Sequence, residues 1–88
     1  MQLQALLTLF LAGSALACRC QQNGSPQGSL DVGATEDACT SAGGTIVNGG
    51  TKNVLCANGN HATFDDRCKA LTRKYTNIPN LKSTCGRK

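Results

Sequence analysis

Six cysteines are the residues of this chain whose number and spacing bear most directly on chemistry: Cys18, Cys20, Cys39, Cys56, Cys68 and Cys85. Cysteine in a short chain usually either binds a metal ion or forms disulfides. Zinc sites generally contain a C-x-x-C pair with further cysteine or histidine ligands, but this chain has only Cys18-Arg19-Cys20 and a single histidine, His61. The cysteine pattern therefore predicts three disulfides, with no metal ion and no cofactor.

The side chains that could act as an acid or a base are few, and they form no recognised catalytic set. His61 ends an Asn-Gly-Asn-His segment that is typical of an exposed turn, and the only glutamate is Glu36. A secreted ribonuclease would need a second histidine or a glutamate as partner, together with an arginine. Asp65 and Asp66 are adjacent and are better explained as acidic residues at the start of a helix. No catalytic residue is assigned, and we expect that the chain is not an enzyme.

The first 17 residues have the pattern of a secretory signal peptide. They contain no Asp, Glu, Lys or Arg, an apolar run extends from Leu6 to Leu16, and Ala15-Leu16-Ala17 is a small-x-small cleavage sequence. The run is shorter than the roughly 20 residues that span a bilayer. The alternatives are a buried N-terminal helix and a lipoprotein signal, since Cys18 directly follows the cleavage point. We predict secretion, with a signal peptide over 1–17 and a single domain over 18–88.

The predicted mature chain is too small to be stable through hydrophobic burial alone. It retains two aromatic residues, Phe64 and Tyr75, and has no tryptophan. Each disulfide typically contributes about 2–4 kcal/mol, chiefly by restricting the unfolded chain. Three such bridges would rival the net stability of an ordinary domain, and they agree with an extracellular location.

Two helices are predicted. Thr35 is a candidate N-cap for the first, because Glu36 and Asp37 follow it in the first turn, and Gly43-Gly44 ends this helix. The second begins at a capping-box-like sequence, Thr63-Phe64-Asp65-Asp66. One apolar face of the second helix is predicted to contain Phe64, Cys68, Leu71 and Tyr75.

Four short strands complete the prediction. Thr45-Ile46-Val47 and Asn53 to Ala57 are β-type runs on either side of Asn48-Gly49-Gly50, whose residue types favour a hairpin turn. The two ends of the mature chain, Cys18 to Gln21 and Ser83 to Gly86, are predicted strands as well.

A long polar connection is predicted over residues 22–34, and loops of this length are usually functional or disordered. Within it, Asn23-Gly24-Ser25 is a candidate N-glycosylation site at Asn23. Pro26 directly follows this sequence and should lower its use.

The order of these elements, β-α-β-β-α-β, predicts an α+β fold: a ferredoxin-like split βαβ sandwich in a small disulfide-stapled domain. In that arrangement the sheet order is 4-1-3-2 with both helices on one face, and we expect the first and third strands to be adjacent and parallel. The first helix would lie over the third strand and the second helix over the first. Alternate residues of a strand share a face, so Cys18 and Cys20 both point to the helices. The expected disulfides are then Cys18–Cys85, Cys20–Cys68 and Cys39–Cys56.

The charges are distributed unevenly along the mature chain. Residues 18–66 contain two basic and five acidic residues, whereas residues 67–88 contain seven basic residues and no acidic one. These seven could bind an anionic partner, or form a solvated surface that keeps the protein soluble: Arg67, Lys69, Arg73, Lys74, Lys82, Arg87 and Lys88. Nucleic acid is not expected as a partner, because the chain is secreted and lacks aromatic residues on which bases could stack.

Several of these segments together resemble the small secreted cysteine-rich proteins of filamentous fungi. The resemblance covers nearly all of the mature chain and rests on the leader, Cys18-Arg19-Cys20, Thr35 to Gly44, Cys56, Phe64 to Cys68 and Ser83 to Cys85. Many such proteins are treated as candidate effectors of plant-associated fungi. Some share the α/β sandwich of a virus-encoded smut-fungus killer toxin, which has the same element order. The toxin's α-subunit carries more cysteines than this chain, so the resemblance does not imply toxicity, and the family supplies no catalytic residues to carry over.

We therefore predict a secreted, monomeric, non-enzymatic interaction protein, effector-like, whose partner is a host protein or another extracellular protein. The alternative is an antimicrobial or killer-toxin-like protein that acts on anionic membranes through its basic C-terminal segment. A small protease inhibitor and a secreted hydrolase are the remaining alternatives.

Overall fold

The structure, a computed structural model, describes residues 16–87 of the chain. Six elements follow one another along it: β1 (Leu16–Gln22), α1 (Val32–Ser41), β2 (Thr45–Val47), β3 (Leu55–Ala57), α2 (His61–Ala70) and β4 (Leu81–Arg87). They occur in the predicted order. The predicted leader lies outside the described residues except for Leu16 and Ala17, which pair with Arg87 and Gly86 as the first residues of β1.

The strands form one antiparallel sheet in the order β2-β3-β1-β4, so the described chain is a small α+β domain with two helices and four strands. Read from the other edge, this is the predicted order 4-1-3-2. The prediction that the first and third strands are parallel is wrong, because Cys18 lies opposite Cys56 in an antiparallel register. The chain path explains the direction. The crossover through α1 brings β2 back parallel to β1, and the hairpin then reverses the chain into β3, which lies between them.

Helix α1 begins about one turn earlier than predicted, because its N-cap is Asp31 and not Thr35. The Asp31 carboxylate accepts a hydrogen bond from the Ala34 N–H group at 2.9 Å. Thr35 is buried inside the helix, where its hydroxyl accepts a hydrogen bond from the Cys20 N–H group (2.9 Å) and donates one to the Asp31 carbonyl (2.8 Å). The threonine therefore satisfies a backbone donor of β1 instead of capping the helix.

The connection between β1 and α1 is shorter than predicted and is fixed by hydrogen bonds. Leu30 forms an isolated β-bridge with Gln21. The side-chain amide of Gln21 donates to the carbonyl groups of Pro26 (3.3 Å) and Gly28 (3.1 Å), and Gln21 is buried. The loop therefore folds back over the end of β1.

Helix α2 begins slightly earlier than its predicted capping sequence. Its N-cap is Asn60, whose side-chain oxygen accepts a hydrogen bond from the Thr63 N–H group at 2.9 Å. Phe64, Cys68 and Leu71 are buried, as predicted for the apolar face.

Tyr75 does not lie on that face, and its assignment to the helix is wrong. The helix ends at Ala70, and Arg73 adopts a positive φ of 65° in the turn that follows. This left-handed residue redirects the chain, and Tyr75 is 48% exposed.

The hairpin between β2 and β3 begins at the predicted turn residues, but its loop extends over residues 48–54. Asn48 (φ 57°) and Gly50 (φ 77°) adopt the left-handed conformation that such residue types allow. Strand β2 has its predicted bounds, whereas β3 is shorter than predicted and the two terminal strands are longer.

The core lies between the sheet and the helices, and disulfides cross it. The bridges are Cys18–Cys85 between β1 and β4, Cys20–Cys68 between β1 and α2, and Cys39–Cys56 between α1 and β3. These are the three pairs expected from the sequence. Each helix is thus joined covalently to a strand, around a small set of buried apolar side chains that includes Phe64, Leu71 and Leu81. Within residues 16–87, no helix is long and apolar enough to cross a membrane.

Candidate functional site

The cysteines are all engaged in disulfides, so none is free to act as a nucleophile or a metal ligand. Within the described residues, no cluster of three or more histidine, cysteine, aspartate or glutamate side chains could hold a metal ion. The chemistry of a candidate site must therefore come from the remaining polar and apolar side chains.

His61, Ser83 and Asp65 lie together where α2 begins beside β4, a grouping that no sequence pattern predicts. The His61 Nε2 atom is 3.2 Å from the Ser83 hydroxyl. That hydroxyl donates a hydrogen bond to Asp65 Oδ1 at 2.8 Å, and the Ser83 N–H group donates to the same oxygen at 2.9 Å. In a serine hydrolase the carboxylate orients the histidine, and the histidine takes the serine proton. Here the serine proton is directed to the carboxylate instead.

Asp65 is also a poor base. Partial burial raises its pKa, but hydrogen bonds from the Ser83 N–H group, the Lys69 ammonium and the Ser83 hydroxyl outweigh this effect and lower the pKa to about 2. A general base works best when its pKa lies near the operating pH. The cluster is therefore suited to holding α2 against β4.

The same contacts cap the outer edge of the sheet. In an antiparallel pair, the N–H groups of alternate residues point away from the partner strand. On β4, the N–H groups of Leu81 and Ser83 point away from β1. Ser83 donates its outward N–H group to Asp65, and Leu81 donates its own to the Thr72 hydroxyl at 3.1 Å. An edge strand with free N–H groups can pair with other chains. These two side chains remove two of the available donors.

The five predicted anion-contact residues whose side chains are described do not form one cluster. Arg67 pairs with Asp37 at 2.9 Å and Lys69 pairs with Asp65 at 3.0 Å, so both are partly neutralised. Arg73 and Lys74 are exposed in the turn after α2, where the Lys74 ammonium lies 5.9 Å from the centre of the Tyr75 ring. Lys82 is exposed on β4. Arg87 ends β4, its side chain is outside the described part, and Lys88 lies beyond it.

Asn23, the predicted glycosylation acceptor, is exposed in the turn that follows β1. It has a positive φ of 59°, and its N–H group donates to the Asn80 carbonyl at 2.8 Å. The position is accessible to modification.

The chain matches no protein-family model, no curated protein and no solved structure.

Two large apolar side chains are exposed in the described chain, and both line the same shallow groove. Ile46 is 40% exposed at the edge of the sheet, and Tyr75 is 48% exposed in the turn after α2. The outer surface of α1 lies between them and contributes the remaining lining residues: Gly33, Glu36, Asp37, Thr40 and Ser41. We call this feature the Ile46–Tyr75 groove.

Tyr75 is held in place from two sides. Its hydroxyl donates a hydrogen bond to Asp37 Oδ2 at 2.7 Å, and Arg67 binds the other oxygen of the same carboxylate. The Arg67 guanidinium and the Tyr75 hydroxyl hold the pKa of Asp37 below its ordinary value. The ring lies against Gly33, where an added Cβ would come within 2.9 Å of a ring atom. Helix α1 therefore fixes this exposed aromatic side chain directly, and α2 contributes through the contact of Arg67 with Asp37.

The other end of the groove is also fixed by a carboxylate. Glu36 accepts a hydrogen bond from the Gly50 N–H group at 2.6 Å, which ties the hairpin turn to α1. Gly49 lies against the Ile46 side chain, since a Cβ added to this glycine would lie 3.1 Å from the Ile46 Cγ2 atom. The groove thus has an apolar residue at each end and two acidic residues between them.

Proposed function

We propose that this chain is a secreted, non-enzymatic interaction protein, effector-like, which acts outside the producing cell and binds an extracellular or host protein through the Ile46–Tyr75 groove. The observation that carries the proposal is that the two exposed large apolar side chains share one groove. Tyrosine is enriched among the residues that dominate the energy of protein interfaces, and neighbouring exposed apolar residues often mark interaction sites. Since Tyr75 is already held in place, it would lose little side-chain entropy on binding.

A non-enzymatic role is supported by the disulfide-bonded cysteines and by the direction of the Ser83–Asp65 hydrogen bond. The element order and the strand order support a ferredoxin-like sandwich, and the disulfide framework of so small a domain is typical of extracellular proteins. We propose that the domain is monomeric and that its ligand is not nucleic acid.

Membrane binding through the basic C-terminal segment is the weaker proposal. Anionic lipid attracts each nearby Lys or Arg by about 1 kcal/mol. Arg67 and Lys69 already have carboxylate partners in the described chain, so fewer charges remain available.

The test is a pull-down from extracellular fluid of a candidate host with the immobilised, oxidised mature protein. The groove variant combines Ile46→Thr with Tyr75→Ala, and the matched control is Thr63→Ala, which removes an exposed side chain on α2. Tyr75→Phe retains the ring but removes the hydrogen bond to Asp37. We expect a protein that is retained by the wild type and the control but not by the groove variant, with an intermediate effect for Tyr75→Phe.

Equal retention by all four proteins would show that the groove is not the contact surface. If nothing is retained and the wild type sediments with anionic vesicles at physiological salt, the membrane proposal replaces this one.

A further inference from the structure

The face of the sheet that points away from the helices carries two basic residues and no acidic one among the described residues. Cys18 and Cys20 point to the helices, so Arg19 between them projects to the opposite face. Arg19 lies opposite Thr84, and Lys82 lies opposite Gln21, so both cations occupy this face. The acidic residues are found elsewhere, on α1, on α2 and at the α1 N-cap. We call this surface the open sheet face.

The two cations and the threonine hydroxyl of the open sheet face lack partners in the described chain, whereas Gln21 on the same face is covered by the loop that follows β1. Across residues 16–87, neither Arg19 nor Lys82 belongs to an ion pair. The Thr84 hydroxyl is buried next to Arg19 and has no hydrogen-bond partner. Buried polar atoms without partners are rare, because each one loses its hydration without compensation. Because this hydroxyl is buried, Thr84 would have to rotate about its Cα–Cβ bond before it could donate to an oxyanion bound beside Arg19.

The spacing of the two cations suits an extended chain. A shallow depression beside Arg19 is lined by Ala17, Leu55 and Thr84 and also by Gln21 and Pro26, and Lys82 lies outside its lining. Arg19 and Lys82 are diagonal neighbours on paired strands, a relation that places side chains about 7–8 Å apart. Alternate side chains of an extended peptide are separated by about 7 Å. Two carboxylates at alternate positions would therefore match the two cations.

We propose that the open sheet face binds an extended acidic segment of a protein partner. The carboxylate of one partner residue would bind Arg19, and the carboxylate of the residue two positions further along would bind Lys82. The planar guanidinium of Arg19 can bind a carboxylate through two parallel hydrogen bonds. Polybasic membrane-binding surfaces usually contain about four to eight cations, more than the two described here. This surface lies on the opposite side of the sheet from the Ile46–Tyr75 groove, because Ile46 pairs with the helix-facing Cys56. The two proposals can therefore fail independently.

The test is an NMR titration of the ¹⁵N-labelled, oxidised mature protein with a short capped peptide that contains two glutamates separated by one alanine. We expect saturable shifts of the Arg19, Lys82 and Thr84 amide signals, and none with the same peptide carrying glutamines. Charge-assisted hydrogen bonds are strong enough that Arg19→Gln should weaken binding about tenfold or more. Lys82→Gln should weaken it about threefold. The charge-matched control, Lys52→Gln in the exposed hairpin loop, should change the affinity by less than about twofold.

Thr84→Val separates binding from folding. Because the hydroxyl has no partner in the structure, its removal should leave the unfolding transition unchanged or raise its midpoint. The same substitution should weaken the binding of the glutamate peptide. Unchanged peptide affinity in Arg19→Gln would overturn the proposal. Equal shifts from the glutamine peptide or from inorganic phosphate at the same concentration would also overturn it, as would binding of anionic vesicles without binding of the peptide.

Discussion

Replacement of Asp65 by asparagine should show how much one carboxylate, located between α2 and β4, contributes to the free energy of unfolding. The Asp65 carboxylate accepts two hydrogen bonds from Ser83 and pairs with Lys69 at 3.0 Å. Asparagine has nearly the same shape, and its carbonyl oxygen can still accept both hydrogen bonds from Ser83, but it lacks the charge. The substitution therefore removes the electrostatic part of the contact without opening a cavity.

The magnitude follows from the pKa of Asp65, which is lowered from 3.8 to about 2. A shift of one unit corresponds to about 1.4 kcal/mol, so the upper limit is about 2.5 kcal/mol of folding free energy at neutral pH. The Asp65 side chain is 27% exposed, and solvent screening reduces this value. We expect the asparagine variant to be about 1–2 kcal/mol less stable at pH 7.

The sign of the pH dependence is fixed by the direction of the shift. Because the folded-state pKa lies below the unfolded value, the stabilisation is complete above about pH 4 and is lost as the pH falls toward about 2. The difference in unfolding free energy between the wild type and Asp65→Asn should therefore shrink toward zero at pH 2. Urea unfolding of the oxidised proteins, followed by far-ultraviolet circular dichroism at pH 7, 4 and 2, measures this difference in unfolding free energy.

Asp66→Asn is the matched control, because it removes the same charge from the exposed neighbouring position of α2. Its free energy of unfolding at pH 7 should lie within about 0.5 kcal/mol of the wild type. The reasoning is refuted if the two variants lose equal stability, or if the loss in Asp65→Asn is as large at pH 2 as at pH 7.

Three further outcomes are expected. The oxidised mature protein should show an intact mass six hydrogens below its reduced value, and a thiol reagent should label no cysteine under native conditions. Thr35→Val should lower the free energy of unfolding by about 1–3 kcal/mol, because it leaves the buried Cys20 N–H group without an acceptor, whereas Thr35→Ser should retain most of the stability. Gly33→Ala should displace the Tyr75 ring, visible as a change in its near-ultraviolet circular dichroism, while the far-ultraviolet spectrum stays unchanged.

The disulfide pairs could be predicted because pairing depends on which elements are neighbours. A helix lies over particular strands once the strand order is known, and the order follows from the sequence of elements. The strand direction was predicted incorrectly for β1 and β3, yet this error leaves the neighbours of each strand unchanged. Cys39 therefore still lies next to Cys56, and Cys20 still lies next to Cys68, so both predicted disulfides form.

The start of α1 could not be decided from local signals, because two residues with capping side chains occur within one turn. Asp31 and Thr35 both have oxygens that can accept an N–H hydrogen bond. The structure uses Asp31 because the hydroxyl of Thr35 meets the Cys20 N–H group, a partner that is 15 positions away in the chain. Only the tertiary arrangement supplies that donor.

The Ile46–Tyr75 groove was missed for a related reason, and the miss shows where sequence patterns stop being informative. The spacing of Phe64, Cys68, Leu71 and Tyr75 fits one helical face, but the pattern contains no information on where the helix ends. Leu71 closes α2, and the left-handed Arg73 then sends Tyr75 toward α1. There its hydroxyl meets Asp37, which is 38 positions earlier in the chain. Periodicity marks Tyr75 as apolar and therefore predicts a core position. In the structure, Asp37 instead gives the Tyr75 hydroxyl a hydrogen-bond partner at the surface, and the ring stays exposed.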